Sequence, residues 1–310
     1  MQKQLRLSII ICTKDREAVL RDTLATLFSQ TRLPEELLLV DDGNLPAAEL
    51  VALVEQHGIA CHYFKKDKPG LVASRNLGID HAKGDIILFL DDDVLLEADY
   101  LAALMAVYEA DTAGRVGGVE GALKQSYAPG VLPFLRFFWL DGKKPGAMLP
   151  SGCGVLTRQG DFDQPIAVDW LSGCDMSYRR EVFADLRFDG RLSEVGYAWA
   201  DDRDFSYRVR QRWQLIATPA ARLVHRKEPS GRIDSYKMGF IETNYFWRFF
   251  AKNMPKRPLN WVALVWSLIG IVLKNVLLLL TGSARQATLA QLQGNLVGLA
   301  AIFTGKDFLA

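Results

Sequence analysis

The sequence predicts an α/β protein: a mostly parallel, doubly wound central sheet flanked by helices, followed by an apolar helical appendage. Three observations carry this reading. Short apolar runs alternate with amphipathic helical segments through the N-terminal third, a pattern that implies right-handed crossovers. Two of those runs, Glu36–Val40 and Ile86–Leu90, stop abruptly at carboxylates, and the carboxyl ends of strands are where open α/β sheets take their ligands. The last third turns strongly hydrophobic behind a basic stretch. At 310 residues, 49% hydrophobic and 24% charged, the chain can form one large domain or a domain with an appendage, can bury a core, and is not disordered. A formal charge of +1 gives no global sign of nucleic-acid binding, and no nucleic-acid partner is expected.

Taken in order, Leu5–Cys12 is a strand and Thr13–Arg16 (TKDR) a polar break. Leu20, Leu24, Leu27 and Phe28 recur at helical spacing, which predicts a helix over Ala18–Gln30 with one face on the sheet. Pro34 leads to the strand Glu36–Val40, which ends in Asp41, Asp42 and Gly43. A helix over Ala47–His57, a short strand near Ala60–Phe64 and a turn at Pro69 and Gly70 follow. Leu71–His81 reads as a helix bearing Arg75 and Asn76, before the strand that ends in Asp91, Asp92 and Asp93. Three adjacent like charges repel. They suit a site for a cation, or for a cation carrying a phosphate-rich ligand, and equally a solvated turn capping a helix that starts near Glu97. Arg75 suits anionic oxygens, or a surface salt bridge to Asp80 or Asp85. Beyond the helix Leu101–Tyr108, Val116–Ala122 reads as a strand. The Pro- and Gly-rich stretch Ser126–Gly152 contains FLRFFWL (Phe134–Leu140), which fits a membrane-dipping or acceptor-covering loop and equally a buried helix turn.

TKDR, VDDG (Val40–Gly43), GLVASRNLGI (Gly70–Ile79) and FLDDD (Phe89–Asp93) resemble, in order and spacing, the nucleotide-binding half of family 2 glycosyltransferases. The likeness resumes at WLSGCDMSYRR (Trp170–Arg180) and WADDRDFSYRV (Trp199–Val209). It implies a Rossmann-like GT-A fold and an inverting, metal-dependent hexosyl- or deoxyhexosyltransferase. By this resemblance the donor meets Thr13, Asp15 and Arg16. Asp41, or failing it Asp42, faces the base, Arg75 and Asn76 lie near the base or diphosphate, and Asp91 meets the ribose side. Asp92 belongs to the same donor wall, supporting the turn. Asp93, with His225 completing the site, holds a divalent metal, Mg²⁺ or Mn²⁺. Asp202 is the catalytic base, with Asp201 and Asp204 as acids at a helix start. Trp170, Gly173, Asp175 and Asp201 lie on the acceptor side, with Asp175 standing where many relatives carry Asn. Thr218–His225 is a short strand ending in the histidine, Lys227 and Arg232 are further phosphate contacts, and Ser230–Gly231 suggests a closing loop.

These motifs divide the chain into a catalytic domain over 1–232, with a nucleotide-binding half (1–115) and an acceptor half (116–232), and C-terminal helices over 233–310. Arg222–Asn260 holds nine Lys and Arg against three acids, directly before the apolar Leu259–Thr281, as in a segment facing anionic lipid. Within that helix Asn260, Ser267, Lys274 and Thr281 recur every seven residues on one stripe. A following helix, Gln286–Phe303, carries Gly294 and Gly298 at a spacing that permits close packing. The pair could span a bilayer, lie at its surface, or form a soluble hairpin. Cys12, Cys61, Cys153 and Cys174 have no paired spacing, and Leu7–Cys12 is too short for a signal peptide, which fits a reducing, cytoplasmic setting. The expectation is an enzyme of polysaccharide or cell-envelope synthesis on the cytoplasmic face of the inner membrane, peripheral or integral. It takes a UDP-, GDP- or dTDP-linked sugar donor and a saccharide or lipid-linked acceptor. A nucleotidyltransferase and a non-catalytic, membrane-anchored nucleotide-sugar-binding protein are the alternative classes. No signature of oligomeric state is present.

Overall fold

The structure is a computed structural model that describes residues 4–125, 127–192, 198–228, 233–281 and 284–305. The first elements are β1 (Leu7–Thr13), α1 (Glu17–Phe28), β2 (Glu36–Asp41), α2 (Ala47–Glu55), β3 (Ala60–Lys65), α3 (Leu71–His81) and β4 (Ile86–Asp91). Then come β5 (Val94–Leu96), α4 (Tyr100–Ala110), β6 (Val116–Leu123), α5 (Val131–Phe137), β7 (Ile166–Val168) and β8 (Ser177–Arg179). The chain continues with α6 (Asp201–Val209), β9 (Gln214–His225), α7 (Ser235–Asn253), α8 (Pro258–Thr281) and α9 (Arg285–Thr304). Two compact units result, one of Met1–Ser126, Leu156–Gly190 and Asp201–Gly231, the other of Tyr127–Val155, Arg191–Ala200 and Arg232–Ala310.

The first unit is built on a nine-stranded sheet of order β3-β2-β1-β4-β8-β6-β9-β5, with β7 paired to β9. β3, β2, β1 and β4 are parallel, and the apolar runs of β2, β1 and β4 are buried on both faces, as strands covered by helices on either side must be, while β3 at the sheet edge is only partly buried. α1 turns Leu20, Leu24 and Leu27 onto this sheet. α3 approaches β1 at Gly78, where a methyl group would stand 2.7 Å from Ile10. The chain moves outward from β1 to β3 and returns to β4 on the other side of β1. The resulting crevice lies between the carboxyl ends of β1 and β4, where Cys12 pairs with Asp91. The far half of the sheet is mixed: β8 runs antiparallel to β4 and β6, β6 parallel to β9, and β5 and β7 antiparallel to β9. The strand expected over Thr218–His225 is the second part of the 12-residue β9. β5, β7 and β8, of three residues each, are too short to leave a periodic signal.

In the second unit, α7 and α9 run in the same direction in close contact: Gly294 meets Tyr236, and Gly298 meets Phe240 and Thr243. Added methyls would overlap backbone or side-chain oxygen at Gly239, Gly294 and Gly298. The polar stripe of α8 faces protein. Asn260 donates to Pro150 O at 2.9 Å, Ser267 to Phe138 O at 2.9 Å, and Lys274 pairs with Glu242 at 2.6 Å. The side chain of Thr281 lies outside the described residues. FLRFFWL forms α5 and its exit, where Phe138 is buried and stacks on Trp266 while Phe137 stays 62% exposed. α7 falls within the C-terminal helices expected over 233–310, although the sequence delimits no separate helix there; Tyr245, Phe246, Phe249 and Phe250 are buried along its second half.

Candidate active site

The acids that end β4 divide by side. Asp92 is buried and turns inward, accepting from Thr13 Oγ1 at 2.6 Å and Arg16 Nη1 at 2.6 Å. Burial, resisted by those two donors, raises its pKa to about 6. Asp91 and Asp93 face the other way, toward His225, as alternation along an extended chain requires. His225 reaches them because β5 folds back antiparallel on the end of β9, with Val94 opposite His225. His225 Nε2 lies 3.0 Å from Asp93 and 3.7 Å from Asp91. Asp93 also accepts from Arg16 Nη2 at 3.0 Å and from the Glu228 amide at 2.9 Å. Burial opposes ionisation of Asp93, yet His225, the Glu228 amide and Arg16 together hold its carboxyl well below the usual carboxylate range. The same contacts overcome burial at His225 and raise its pKa. Asp91 goes up, because burial and the charges of Asp93 and Asp201 outweigh His225 and Arg75.

One ligand atom from each of Asp91, Asp93 and His225 can be chosen so that all lie within 4.8 Å of one another. Two carboxylate oxygens and one imidazole nitrogen make a hard, mostly oxygen donor set that fits Mg²⁺ or Mn²⁺ and lacks the thiolates of a structural zinc site.

Arg75 occupies the centre. It is buried, bonds Asp201, donates to Gly173 O at 2.9 Å and stands 3.6 Å from Asp91. The surface pairing with Asp80 or Asp85 does not form. Asp80 pairs with Arg187 at 3.0 Å, and Asp85 accepts from the Arg6 amide at 2.9 Å. At the start of α6, Asp201 is committed to Arg75, and Asp204 is buried against Arg208 at 2.9 Å. Asp202 between them stays half-buried, accepting from the Gly173 amide at 3.0 Å and the Arg203 amide at 2.7 Å. Burial first, then the charge of Asp201, raise its pKa.

The other expected residues are placed as follows. Asp41 is fully buried and accepts from the Gly43 and Leu45 amides and from Tyr63 at 2.6, 3.0 and 2.6 Å. Asp42 accepts from the Gly70 amide at 2.7 Å and Ser74 at 2.9 Å and pairs with Lys66 at 3.0 Å. Both acids therefore build the turns after β2 and before α3. Asp15 is exposed in a left-handed conformation, φ 53°, and accepts from the Asn44 amide at 3.0 Å. Both ends of the Asn76 amide engage the Phe188 backbone at 3.0 Å. Asp175 is buried on Tyr100 and the Gly121 amide, and Trp170 is buried as well. Lys227 bonds Gln125 at 3.1 Å, while Ser230, Gly231 and Arg232 lie outside the described residues. Two residues absent from the sequence-based expectations matter here. Lys66 clamps the α3 turn, and Glu120 is buried in β6 beneath the Ser172 amide. A single carboxylate inside the apolar run VGGVEGAL was the available signal for the second.

The family profile described as glycosyl transferase family 2 matches residues 8–186. Glycosyltransferase GlyA of Streptococcus pneumoniae is 25% identical over 197 residues, covering 62% of this chain, and the chain spans 27% of GlyA's length. The glucosyl-dolichyl phosphate glucuronosyltransferase of Haloferax volcanii is 26% identical over 264 residues, covering 81% of this chain and 77% of that protein. Among solved structures, mannosyltransferase PcManGT from Pyrobaculum calidifontis, in complex with GDP-Man and Mn²⁺, superposes with a TM-score of 0.57 at 18% identity. That match covers 99% of this chain and 77% of that one. With the profile spanning more than half of the chain, the chain belongs to glycosyl transferase family 2, and the superposition on that solved structure shows a GT-A fold.

Proposed function

We propose that this chain moves a sugar from a nucleotide-sugar donor to a hydroxyl of a saccharide or lipid-linked acceptor, with inversion, using a divalent cation and working at a membrane. One observation carries the reading. At the sheet's switch point, within a single unit, a cation-competent triad and a half-buried carboxylate both adjoin the buried Arg75, which stands 3.6 Å from Asp91 and donates to Gly173, whose amide binds Asp202.

Asp202, held by the Gly173 and Arg203 amides, takes the proton of the acceptor hydroxyl as that oxygen bonds to the anomeric carbon. The bond from that carbon to the donor phosphate oxygen breaks in the same displacement, and the nucleoside diphosphate leaves with the electron pair. Asp91, Asp93 and His225 would hold the Mg²⁺ or Mn²⁺ ion, which would supply electrostatic stabilisation of the leaving diphosphate. Arg75 ties the end of β4 to the start of α6, so that donor wall and base keep one register. Asp41 and Asp42 serve the donor by shaping the turns that flank its base and diphosphate.

The membrane reading rests on α8. Among the described residues, Pro258–Leu280 is the one helix long and apolar enough to cross a bilayer. Val262, Val265, Ile269, Leu273, Leu277 and Leu280 form an exposed stripe opposite its protein-bound polar stripe, and exposed Lys252, Lys256 and Arg257 precede it. The Haloferax relative bears the name of an enzyme acting on a dolichyl-phosphate-linked sugar, which supports a lipid-linked acceptor here. We place the enzyme on the cytoplasmic face, in keeping with four free cysteines.

A donor panel tests the proposal: nucleotide sugars are screened for a rise in melting temperature with Mn²⁺ present. The donor is expected to stabilise the wild type and Asp202→Asn but not Asp93→Ala. Asp202→Asn is expected to lose about 10²–10⁴-fold in kcat. Full sugar transfer by Asp202→Asn would overturn the assignment.

A further inference from the structure

We propose that Glu120 is a positioning residue for Asp202, acting through the turn that carries Ser172 and Gly173. The inference rests on Asp202 being the base and extends the machinery to the core strand behind it. Glu120 is 2% exposed in β6, where a carboxylate is costly unless both oxygens are engaged. Both are: Oε1 accepts from Thr157 Oγ1 at 2.8 Å and Oε2 from the Ser172 amide at 2.6 Å.

That amide is one anchor of a turn tied at three successive residues. The Leu171 amide donates to Ser206 Oγ at 3.0 Å, and Ser206 in turn donates to Asp202 O at 2.7 Å. Gly173 donates its amide to Asp202 Oδ2 and accepts from Arg75. Contact there is close enough that a methyl on Gly173 would stand 3.2 Å from Asp202 Oδ2 and 3.3 Å from Arg75. A turn released at Ser172 therefore transmits its shift directly to the carboxylate. Glu120 touches neither donor nor acceptor in this scheme. Its effect is geometric, and misplacing a reacting group by about 1 Å costs on the order of 10²-fold in rate. Burial and the neighbouring Asp175 push the Glu120 carboxyl well above the usual range, so an uncharged amide can stand in for it. In Glu120→Gln the amide oxygen keeps the Ser172 bond, while its NH₂ donates to Thr157 Oγ1, whose own proton turns to Gly121 O.

The test compares Glu120→Gln, Glu120→Asp and Glu120→Ala with wild type and Asp202→Asn, reading kcat and the donor-induced melting shift with Mn²⁺. Glu120→Ala and Glu120→Asp are expected to lose about 10–100-fold in kcat with the donor-induced shift intact. Glu120→Gln is expected to stay within about threefold of wild type, since the acceptor is retained. Wild-type kcat in Glu120→Ala would overturn the proposal, as would Glu120→Gln falling as far as Glu120→Ala, or a loss of the donor-induced shift in step with kcat. If Glu120→Ala does not fold, Glu120→Asp impaired with Glu120→Gln active upholds the proposal, and equal activities overturn it. Asp202→Asn separates the two claims. Full transfer by that variant removes the base assignment whatever the Glu120 variants do, whereas an inactive Asp202→Asn beside an unimpaired Glu120→Ala removes only the positioning role.

Discussion

At the residue scale, the site is a matter of which carboxylates remain available once the framework has taken its share. Asp41, Asp42, Asp92 and Asp201 are engaged by amides, hydroxyls or cations of the protein itself. Asp202 keeps partial exposure and a raised pKa, caused by burial and then by Asp201. In its proposed role as base Asp202 must be ionised to act, so a raised pKa moves the acid limb of activity upward. kcat/KM is expected to fall with decreasing pH through a midpoint above the ordinary aspartate value of about 3.9. A pH–rate profile checks this, with Arg75, Arg203 and Asp201 as the charged neighbours that set the midpoint. Gly173→Ala crowds Asp202 Oδ2 and is expected to lower kcat about tenfold or more while the donor-induced melting shift persists. Much of this was legible in the sequence. The FLDDD run, the VDDG turn and the acid pair at Asp201 and Asp202 all lie in the one unit that holds the site. Hidden from it were the partners. That Asp201 bonds Arg75, 126 residues away in sequence, has no local signal.

At the element scale, the helices and buried parallel strands of the N-terminal third were readable, whereas the bounds of α7, the first part of β9 and the three-residue strands were not. β5 shows why that matters, since its pairing with β9 brings His225 to Asp93. The seven-residue polar stripe of α8 was visible as periodicity, but its meaning depended on what it faces. Asn260, Ser267 and Lys274 each find a protein partner, leaving the opposite stripe wholly apolar. Replacing Val265, Ile269, Leu273 and Leu277 together by Ser is expected to abolish co-flotation with anionic phospholipid vesicles, since each buried aliphatic side chain is worth about 1.5–3 kcal/mol of transfer. Donor-induced stabilisation should survive in that variant. Gly294→Val is expected to destabilise the second unit by about 1–3 kcal/mol, because a side chain there overlaps Tyr236 O. Chemical denaturation followed by Trp fluorescence reads this.

At the scale of the whole molecule, the expected consequence is that metal, donor and catalysis are linked. Chelation of divalent cations should abolish sugar transfer and the donor-induced rise in melting temperature, both restored by Mn²⁺. A chelated enzyme that transfers at full rate would count against the triad. The sequence by itself determined the α/β class, the strand-end acids that line the crevice and the family, because buried strands, helical stripes and contiguous motifs are local patterns. The tertiary structure alone decided which acids are spent on turns, that Arg75 is a buried hub, that His225 joins Asp91 and Asp93, and that Glu120 supports the Gly173 turn. The physical reason is that a carboxylate's role depends on its hydrogen-bond partners and its exposure. Both are set by residues remote in sequence, brought together only when β4, β6, α6 and β9 meet across one sheet.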